Sequence, residues 1–283
     1  MIVYASTKSG FIDDVANNRI EDKILALVHK RLHHSTSENE IRSWKNSMQY
    51  MHTLLVHSSV PVDAGVAIEY SIPQTSKRVD FILTGQDDAG RPNAVIIELK
   101  QWEKVWLTGM DGIVTTILQG AKVNTSHPSF QAWSYAALLE DFNETVQTDH
   151  IRLNPCAYLH NCDSPHVIND PFYKEYTNRA PAFLKSDSTK LKSFIEQYVR
   201  KGDQGKIIYR IDGGRIRPSK SLADALEKML NGNPEFLLID DQKLVYETAL
   251  ALAETAERGK KQVLVVEGGP GTGKSSICAL LAY

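Results

Sequence analysis

The stretch that most constrains this chain runs from residue 78 to residue 100 and reads RVDFILTGQDDAGRPNAVIIELK. Apolar residues recur at every second position near both ends, as they do along strands whose side chains alternate between two faces. Glycine, aspartate and proline fill the middle, and these residue types favour a hairpin connection. A hairpin that turns at Ala89 pairs residues whose numbers sum to 178, so it places Asp80 opposite Glu98.

The alternation predicts one buried face and one polar face for this hairpin. Asp80, Glu98 and Lys100 share the polar face, and cross-strand neighbours lie ~5 Å apart at Cβ, where like charges destabilise a sheet. A divalent cation between the two carboxylates removes that cost, and two carboxylates with a lysine two residues on are typical of a magnesium-dependent phosphodiesterase site. The buried face is made of the odd-numbered apolar residues Val79, Phe81, Leu83, Val95, Ile97 and Leu99.

Composition restricts the class of protein. The 283 residues are 42% hydrophobic and 23% charged, which is typical of a globular protein with one large domain or two ordinary ones. No apolar run approaches the ~20 residues of a membrane span, and the N-terminus lacks a signal-peptide pattern. Three cysteines, Cys156, Cys162 and Cys278, are too few for a disulfide framework, so we expect a cytoplasmic protein with no membrane partner.

Charge is unevenly distributed along the chain, although the formal net charge is only −2. Between Lys174 and Lys220 there are 12 lysine and arginine residues against 5 aspartate and glutamate residues. Such a segment suits a phosphate backbone, and it equally suits a solvated basic surface beside acidic neighbours. The sequence favours neither interpretation.

Periodicity predicts helices and strands in an order typical of an α+β domain. Ser37 and Glu40 are spaced as a capping box at the start of the second helix. Predicted helices cover residues 19–33, 37–55, 129–142, 184–200 and 218–230. Predicted strands, besides the hairpin, are VAIEYS, CAYL and IIYRI, with extended or edge pieces between residues 101 and 124.

The dipeptide spacing Glu-x-Lys has little weight alone, and Glu21-Asp22-Lys23 is a second match on a predicted helix without a facing strand aspartate. Gln131 and Tyr135 add an independent signal, because they stand at i and i+4 on one face of a predicted helix. The order of an aspartate, a strand Glu-x-Lys and a helical Gln-x-x-x-Tyr resembles the PD-(D/E)XK nuclease superfamily, particularly its RecB-like members, over residues 37–142.

This resemblance implies a mixed sheet flanked by helices and a role for each motif residue. Asp80 and Glu98 would bind Mg²⁺ or Mn²⁺, and the Leu99 carbonyl often completes such a site. Lys100 would orient or help deprotonate the attacking water, and stabilise charge at phosphorus. Gln131 and Tyr135 would steady the nucleophile, the lysine or a nearby phosphate. The family usually takes a further acidic or histidine ligand from an earlier helix. Glu40 is the first candidate for that role, and Glu69 on the preceding strand remains open as the alternative.

A second motif, GGPGTGKS at residues 268–275, matches the P-loop pattern, with VLVVE predicted as a buried parallel strand before it and a helix after it. Lys274 would contact the β and γ phosphates of ATP, and the Ser275 hydroxyl would bind Mg²⁺. Gln242 resembles the adenine-reading glutamine of superfamily 1 helicases. The predicted nucleotide-binding residues are Gln242, Gly268, Gly269, Gly271, Thr272, Gly273, Lys274, Ser275 and Ser276.

The sequence of motifs resembles bacterial proteins that join a PD-(D/E)XK-like domain to a Schlafen group 3-like helicase domain. We therefore expect a nuclease domain at 1–165, a basic connecting region at 166–234, and the first strand, P-loop and helix of a RecA-like domain at 235–283. No Walker B carboxylate or arginine finger follows the P-loop, so the ATPase part is expected to be incomplete in this chain. Such architectures are associated with defence against foreign nucleic acid.

Four soft ligands, Cys156, His160, Cys162 and His166, fall within eleven residues. Their spacing lacks the paired ligands of common zinc sites. We therefore favour a buried Cys156 beside surface histidines over a zinc site.

Three functions follow from these motifs. The first is a metal-dependent nuclease acting on nucleic acid, with DNA favoured over RNA and a homo-oligomer or defence-system protein as a further partner. The second is a nuclease-like fold that binds nucleic acid without cleaving it. The third is a nucleotide-dependent switch or assembly protein.

Overall fold

The computed structural model describes residues 1–32, 37–73, 75, 77–218, 238–256, 260–269 and 274–281. Its strands are β1 (Ile2–Thr7), β2 (Gly65–Ser71), β3 (Arg78–Gln86), β4 (Pro92–Lys100), β5 (Val105–Leu107), β6 (Ile113–Leu118), β7 (Ala121–Ser126), β8 (Arg152–Leu159) and β9 (Ala182–Leu184). Its helices are α1 (Lys8–Ala16), α2 (Ile20–Leu32), α3 (Glu38–Val56), α4 (Pro128–Phe142), α5 (Glu144–Thr148), α6 (Pro165–Ile168), α7 (Lys174–Arg179), α8 (Ser188–Tyr198), α9 (Lys206–Asp212), α10 (Asp241–Glu254) and α11 (Lys274–Leu281).

Six strands form one mixed sheet in the order β1-β2-β3-β4-β8-β9. The first four are antiparallel to their neighbours, and β4, β8 and β9 run parallel. Residues of β3 and β4 pair from Phe81–Ile97 to Gln86–Pro92, which confirms the predicted hairpin register. The coarse prediction of an α+β fold with a mixed sheet flanked by helices is also confirmed.

Both faces of this sheet are covered, so the middle of the hairpin has no solvated polar face. On one face, β3 and β4 pack against α1, α2, α3 and α8 through residues such as Phe81 and Ile97. On the other face, Ile82 and Ile96 pack against α4 and α9. The uninterrupted apolar run Val95-Ile96-Ile97 is typical of a strand buried on both sides.

The predicted alternation fails at one end of the hairpin. Phe81 and Leu83 belong to the core on the α3 face, but Val79 packs with Tyr70 in the core on the α4 face. In β2, Ile68 pairs with Phe81 and Tyr70 pairs with Val79. Glu69 lies between these two paired residues, and its φ of 54° is left-handed. A non-glycine residue in this conformation interrupts the alternation of faces. The prediction that Val79 shares a face with Phe81 was therefore wrong.

Residues 105–126 form a second, three-stranded antiparallel sheet in the order β5-β6-β7, where the sequence predicted extended or edge pieces. Its buried side packs with α6 and α7 and with the end of β8 through a separate core that includes Val114, Phe130, Leu159, Ile168 and Tyr176. The small sheet thereby joins the end of the main sheet at which β4 and β8 finish.

Most of the predicted helices are present in the described residues. Helices α2, α3, α4 and α8 match the predicted ranges 19–33, 37–55, 129–142 and 184–200 within a few residues. Ser37 caps α3 by accepting a hydrogen bond from the Glu40 N–H at 3.2 Å, whereas the Glu40 side chain binds Arg78 instead of closing the capping box. The helix predicted at 218–230 lies mostly outside the described residues.

The strand predicted for IIYRI is wrong, since these residues form α9. Asp203, which is buried, accepts hydrogen bonds from the Gly205 and Ile207 N–H groups at 3.1 and 2.9 Å and so organises the start of the helix. Gly205 has a φ of 68°, a conformation that glycine adopts without steric cost. The buried side chains of α9, Ile207, Ile208 and Ile211, then pack on the sheet at helical spacing.

The strand predicted for VLVVE is also absent. Residues 260–269 have no regular secondary structure, and Val263 and Val265 are 70% and 74% exposed. Within the described residues no strand lies beside this segment, and an isolated strand cannot satisfy its backbone hydrogen bonds. The helix predicted after the P-loop is present as α11.

Residues of the predicted connecting region 166–234 contribute β9, α8 and α9 to the main sheet and its two helical layers. Several basic side chains of this region form surface ion pairs: Arg179 with Glu175, Lys190 with Asp187, and Arg210 with Asp149. The basic segment is therefore in large part a surface of the sheet domain. Among the described helices, none combines the length and apolar character that crossing a bilayer requires.

Replacement of Asp203 is expected to destabilise the fold strongly. Besides the α9 contacts, its carboxylate accepts hydrogen bonds from the Gly65 N–H at 2.9 Å and the Thr84 hydroxyl at 2.8 Å. Hydrogen bonds to a charged group contribute ~1.5–3 kcal/mol each, and buried donors left unpaired add a further cost. We expect Asp203→Ala to lower the free energy of unfolding by about 3 kcal/mol or more. Asp203→Asn should lower it by less.

Urea denaturation followed by circular dichroism measures this effect. Asp88→Ala is the matched control, because the Asp88 side chain is 83% exposed and pairs only with Arg200 at 3.7 Å. Its unfolding free energy should change by no more than about 0.5 kcal/mol. Equal stability of Asp203→Ala and Asp88→Ala would contradict the role assigned to Asp203.

Candidate functional site

A polar cavity of about 350 Å³ opens at the end of the hairpin, between α3 and α4. All five predicted catalytic residues line it, together with both alternatives for a further metal ligand and the neighbouring Leu99. The full lining is Glu40, Ser43, Trp44, Ser47, Met48, Glu69, Lys77, Arg78, Asp80, Glu98, Leu99, Lys100, Gln131, Tyr135 and Asp240. Residues distant in sequence therefore meet where the sequence predicted a site.

Asp80 and Glu98 occupy the positions directly beyond the last paired residues of the hairpin, Phe81 and Ile97. The Leu99 N–H donates to Asp80 Oδ2 at 2.8 Å, and Lys100 Nζ lies 2.7 Å from Glu98 Oε1. Glu98 is only 2% exposed, and its Oε2 is buried without a hydrogen-bond partner. A buried carboxylate oxygen without a partner costs free energy, unless it shares a proton with the neighbouring Asp80 carboxyl or binds a cation.

The electrostatic environment of these groups is strongly perturbed. Burial, followed by the nearby Asp80 charge, raises the pKa of Glu98 well above its usual value. Burial also raises the pKa of Asp80, although Lys100 and the Leu99 N–H oppose the shift. Burial alone would lower the pKa of Lys100, but Glu98 and Asp80 outweigh it and raise the pKa. Lys100 therefore carries its proton beside two carboxyl groups that compete for charge.

Gln131 and Tyr135 lie on the α4 side of the cavity and contact each other. Gln131 Nε2 donates to the Tyr135 hydroxyl at 2.9 Å, and that hydroxyl donates to Asp240 Oδ2 at 3.0 Å. Burial and the neighbouring Glu98 and Asp240 charges raise the pKa of Tyr135, so its hydroxyl keeps the proton and acts as a hydrogen-bond donor. The predicted placement of this pair on one helical face toward the carboxylates is thus present in the structure.

Glu40 and Glu69 both approach the cavity, and Arg78 connects them. Its guanidinium contacts Glu40 Oε1 at 2.8 Å and Glu69 Oε2 at 3.1 Å, while the Trp44 indole N–H donates to Glu69 Oε1 at 2.7 Å. Burial and the Asp80 charge raise the pKa of Glu69 to about 7. The left-handed backbone at Glu69 directs a carboxylate into this cluster at a cost of ~1–3 kcal/mol.

The donor set fits a hard divalent cation. Mg²⁺ is commonly held by one or two carboxylates, with water and substrate phosphate oxygens completing its shell. Asp80 and the unpaired Oε2 of Glu98 offer such a pair at the mouth of a polar cavity. Within the described ranges, no three histidine, cysteine, aspartate or glutamate side chains are gathered as a ready-made metal site.

The four cysteine and histidine residues between positions 156 and 166 lie in different environments. Cys156 is buried in the main core, and His166 is exposed. His160 is fully buried rather than at the surface, as its ring stacks on Tyr50 at 4.1 Å and its Nε2 lies 3.2 Å from the Ser47 hydroxyl. The prediction of a surface His160 was wrong because an aromatic partner on α3 covers the ring.

The P-loop is described only in part. Lys274 Nζ donates to the carbonyl oxygens of Gly268 and Gly269 at 2.5 and 2.7 Å. Residues 270–273, which include Gly271, Thr272 and Gly273, lie outside the described residues, as do the side chains of Ser275 and Ser276. Gln242 lies in the first turn of α10, where its Oε1 accepts from the Ile239 N–H at 3.0 Å. Nucleotide binding by these residues stays a prediction.

Sequence reasoning missed Lys77, Arg78 and Asp240 as members of the site. Lys77 and Arg78 stand three and two positions before Asp80, so the hairpin pattern could have drawn attention to them. Asp240 lies 105 positions from its partner Tyr135. The aspartate pair at residues 240 and 241 normally indicates a helix start, and nothing in that pattern points to a contact with Tyr135.

No protein family, no curated protein and no solved structure matches this chain.

Glu69 is expected to make stability fall as pH rises toward neutrality. With a usual pKa of 4.5 and a folded value of about 7, it holds a proton in the folded state that the unfolded state has lost between these pH values. The unfolded state binds fewer protons there, so the free energy of unfolding decreases with rising pH. We expect Glu69→Gln to remove about 3 kcal/mol of the decrease between pH 4.5 and 7.

Urea titrations at a series of pH values measure the slope. Glu40→Gln removes the other carboxylate bound by Arg78 and controls for the loss of an ion pair. A Glu69→Gln protein with the wild-type slope would show that another group titrates in this range.

Glu98→Gln is expected to abolish stabilisation by magnesium. A ligand that binds only the folded state stabilises it by about 2.7 kcal/mol at 100 times its Kd, so the Tm of the wild type should rise by about 5 °C or more. Without the ion, the variant loses the repulsion with Asp80 and also the charged partner of the buried Lys100, so its own stability in EDTA is the reference for its response. Differential scanning calorimetry with Mg²⁺ and with EDTA measures the response of each protein.

The matched control is Glu21→Gln, which alters the other Glu-x-Lys, on α2 and outside the cavity. It should retain the response to magnesium. An equal rise in Tm for Glu98→Gln and Glu21→Gln would exclude Glu98 as a ligand.

Proposed function

We propose that this chain is a metal-dependent nuclease that hydrolyses phosphodiester bonds through a PD-(D/E)XK-like domain. One observation carries the proposal: Asp80, Glu98 and Lys100 from a hairpin meet Gln131 and Tyr135 from a separate helix in one polar cavity. The core gains nothing from a buried carboxylate pair with an unpaired oxygen, and perturbed carboxyl groups in a cleft are typical of catalytic sites.

Each residue has a role that its contacts support. A divalent cation held by Asp80 and Glu98 would polarise a phosphoryl oxygen and lower the pKa of water. The Leu99 N–H holds Asp80 in position, and Lys100 is oriented by Glu98. Because Lys100 stays protonated, it would stabilise negative charge at phosphorus and orient the attacking water rather than accept its proton.

Tyr135 and Gln131 would contact the substrate from the opposite wall. Both present hydrogen-bond donors, and the Gln131–Tyr135 hydrogen bond restricts the hydroxyl to one side of the cavity. Donors held in this way orient a phosphate without a further loss of side-chain conformational entropy during the reaction. Glu40 and Glu69, both bound to Arg78, would act as an outer layer of carboxylates, with Glu69 the more buried of the two.

The wider proposal is that the protein combines nuclease and helicase-type parts and acts in defence against foreign nucleic acid, with DNA favoured over RNA. The P-loop pattern at 268–275 and the helix α11 that follows it support ATP binding by a RecA-like, helicase-type domain. Hydrolysis of the phosphodiester and use of ATP are separate proposals, since they depend on separate residues.

Cleavage assays test the nuclease proposal. Labelled single- and double-stranded DNA and RNA are incubated with the chain in Mg²⁺, in Mn²⁺ and in EDTA, with product lengths resolved on denaturing gels. Asp80→Asn and Lys100→Met should each lose at least about 100-fold in rate, because the first removes a ligand of the metal ion and the second removes the cation that stabilises charge at phosphorus. Glu21→Gln should cleave at the wild-type rate.

The outcomes separate three functions. A well-folded wild type as inert as Asp80→Asn in every metal would refute the nuclease proposal for this chain. Salt-dependent binding without cleavage would then support a non-cleaving nucleic-acid-binding module. ATP binding without any nucleic-acid binding would support a nucleotide-dependent switch.

A further inference from the structure

Asp240 occupies the cavity in an unusual way. It stands at the N-cap position of α10, where aspartate normally accepts a hydrogen bond from the helix backbone, but its side chain forms no such bond. Its carboxylate turns into the cavity, where Oδ2 lies 2.7 Å from Lys77 Nζ and 3.0 Å from the Tyr135 hydroxyl. Lys77 and Tyr135 are thus both bound to one anion.

The backbone at Asp240 shows that this arrangement costs free energy. Its φ of 43° and ψ of −105° lie outside the regions that non-glycine residues normally adopt. Such conformations cost ~1–3 kcal/mol and persist only where surrounding contacts hold them. The loss of helix capping adds ~1 kcal/mol. The contacts with Lys77 and Tyr135 offset both terms, so the carboxylate is held in place by the cavity and not by its helix.

The charged side chains of the cavity indicate how Asp240 affects the binding of an anion. The lining contains five carboxylates, Glu40, Glu69, Asp80, Glu98 and Asp240, against the three cations Lys77, Arg78 and Lys100, a formal net charge of −2. Withdrawal of Asp240 makes the cavity less negative by one charge and frees two donors of the type that proteins use for phosphate.

We propose that Lys77 and Tyr135 form an anion subsite for a phosphate of the nucleic-acid backbone, and that Asp240 occupies it as a built-in competitor. This inference rests on the proposed function for the identity of the ligand. A backbone phosphate entering the subsite takes the two donors from Asp240 and relieves the strained backbone before α10. Substrate binding is therefore coupled to the segment that leads to the P-loop.

Fluorescence anisotropy with a labelled single-stranded oligodeoxynucleotide in EDTA tests the subsite without cleavage. Asp240→Asn keeps the size of the side chain and removes its charge, so we expect roughly tenfold tighter binding than wild type, equivalent to about 1.4 kcal/mol. Asp241→Asn is the matched control, because Asp241 also contacts Lys77 but its side chain is 75% exposed. Its affinity should change less than about twofold, as is usual for exposed charge pairs.

Lys77→Met in the Asp240→Asn background should abolish the gain in affinity, since the freed cation is then absent. Unchanged or weaker binding by Asp240→Asn overturns the inference, as does absence of binding by every variant. Loss of stabilisation by Mg²⁺ in Asp240→Asn with unchanged binding in EDTA would assign Asp240 to the metal and also overturn it. Tighter binding by Asp240→Asn supports it even where no variant cleaves, whereas cleavage by wild type with unchanged binding by Asp240→Asn refutes it and leaves the nuclease proposal intact.

Discussion

The opposition of Asp80 and Glu98 is the constraint on which the rest of the site depends. Every other pair in the central part of the hairpin is apolar or small, and the strands are covered on both faces, so two carboxylates at its end lose much of their hydration. Buried charges are tolerated only when they are paired or protonated. The structure compensates them with Lys100 and the Leu99 N–H, and it still leaves Glu98 Oε2 without a partner.

Two strained residues border the same cavity, one on each side. Glu69 interrupts the alternation of β2, and Asp240 enters from the start of α10; both have positive φ without being glycine. In both cases the consequence is that a carboxylate points toward a cation of the cavity, Arg78 or Lys77. Non-glycine residues with positive φ also occur elsewhere in the described chain, at Asn18, Gln119, His150 and Gln204. Glu69 and Asp240, however, both direct a carboxylate into one charged cleft, which supports a functional cavity.

The candidate site could be predicted from sequence where local pattern decided it. The register of the hairpin follows from the alternation of apolar residues and from the turn residues, so the sequence predicted that Asp80 and Glu98 meet. It also predicted that Gln131 and Tyr135 share one face of a helix. Local pattern could not predict on which face of the sheet Val79 lies, or that Lys206–Asp212 form a helix. The first depends on a left-handed residue in the neighbouring strand, and the second on hydrogen bonds to a buried aspartate.

The sequence by itself determined the motif residues, the register of the hairpin and the main amphipathic helices, because these depend on spacings within one or two elements. Only the tertiary structure decided that α4 covers the polar end of the hairpin, that Arg78 joins Glu40 to Glu69, and that Asp240 enters the cavity. These contacts join segments tens to more than a hundred residues apart. Their geometry arises from packing of whole layers and compensation of buried charge, which no local spacing encodes.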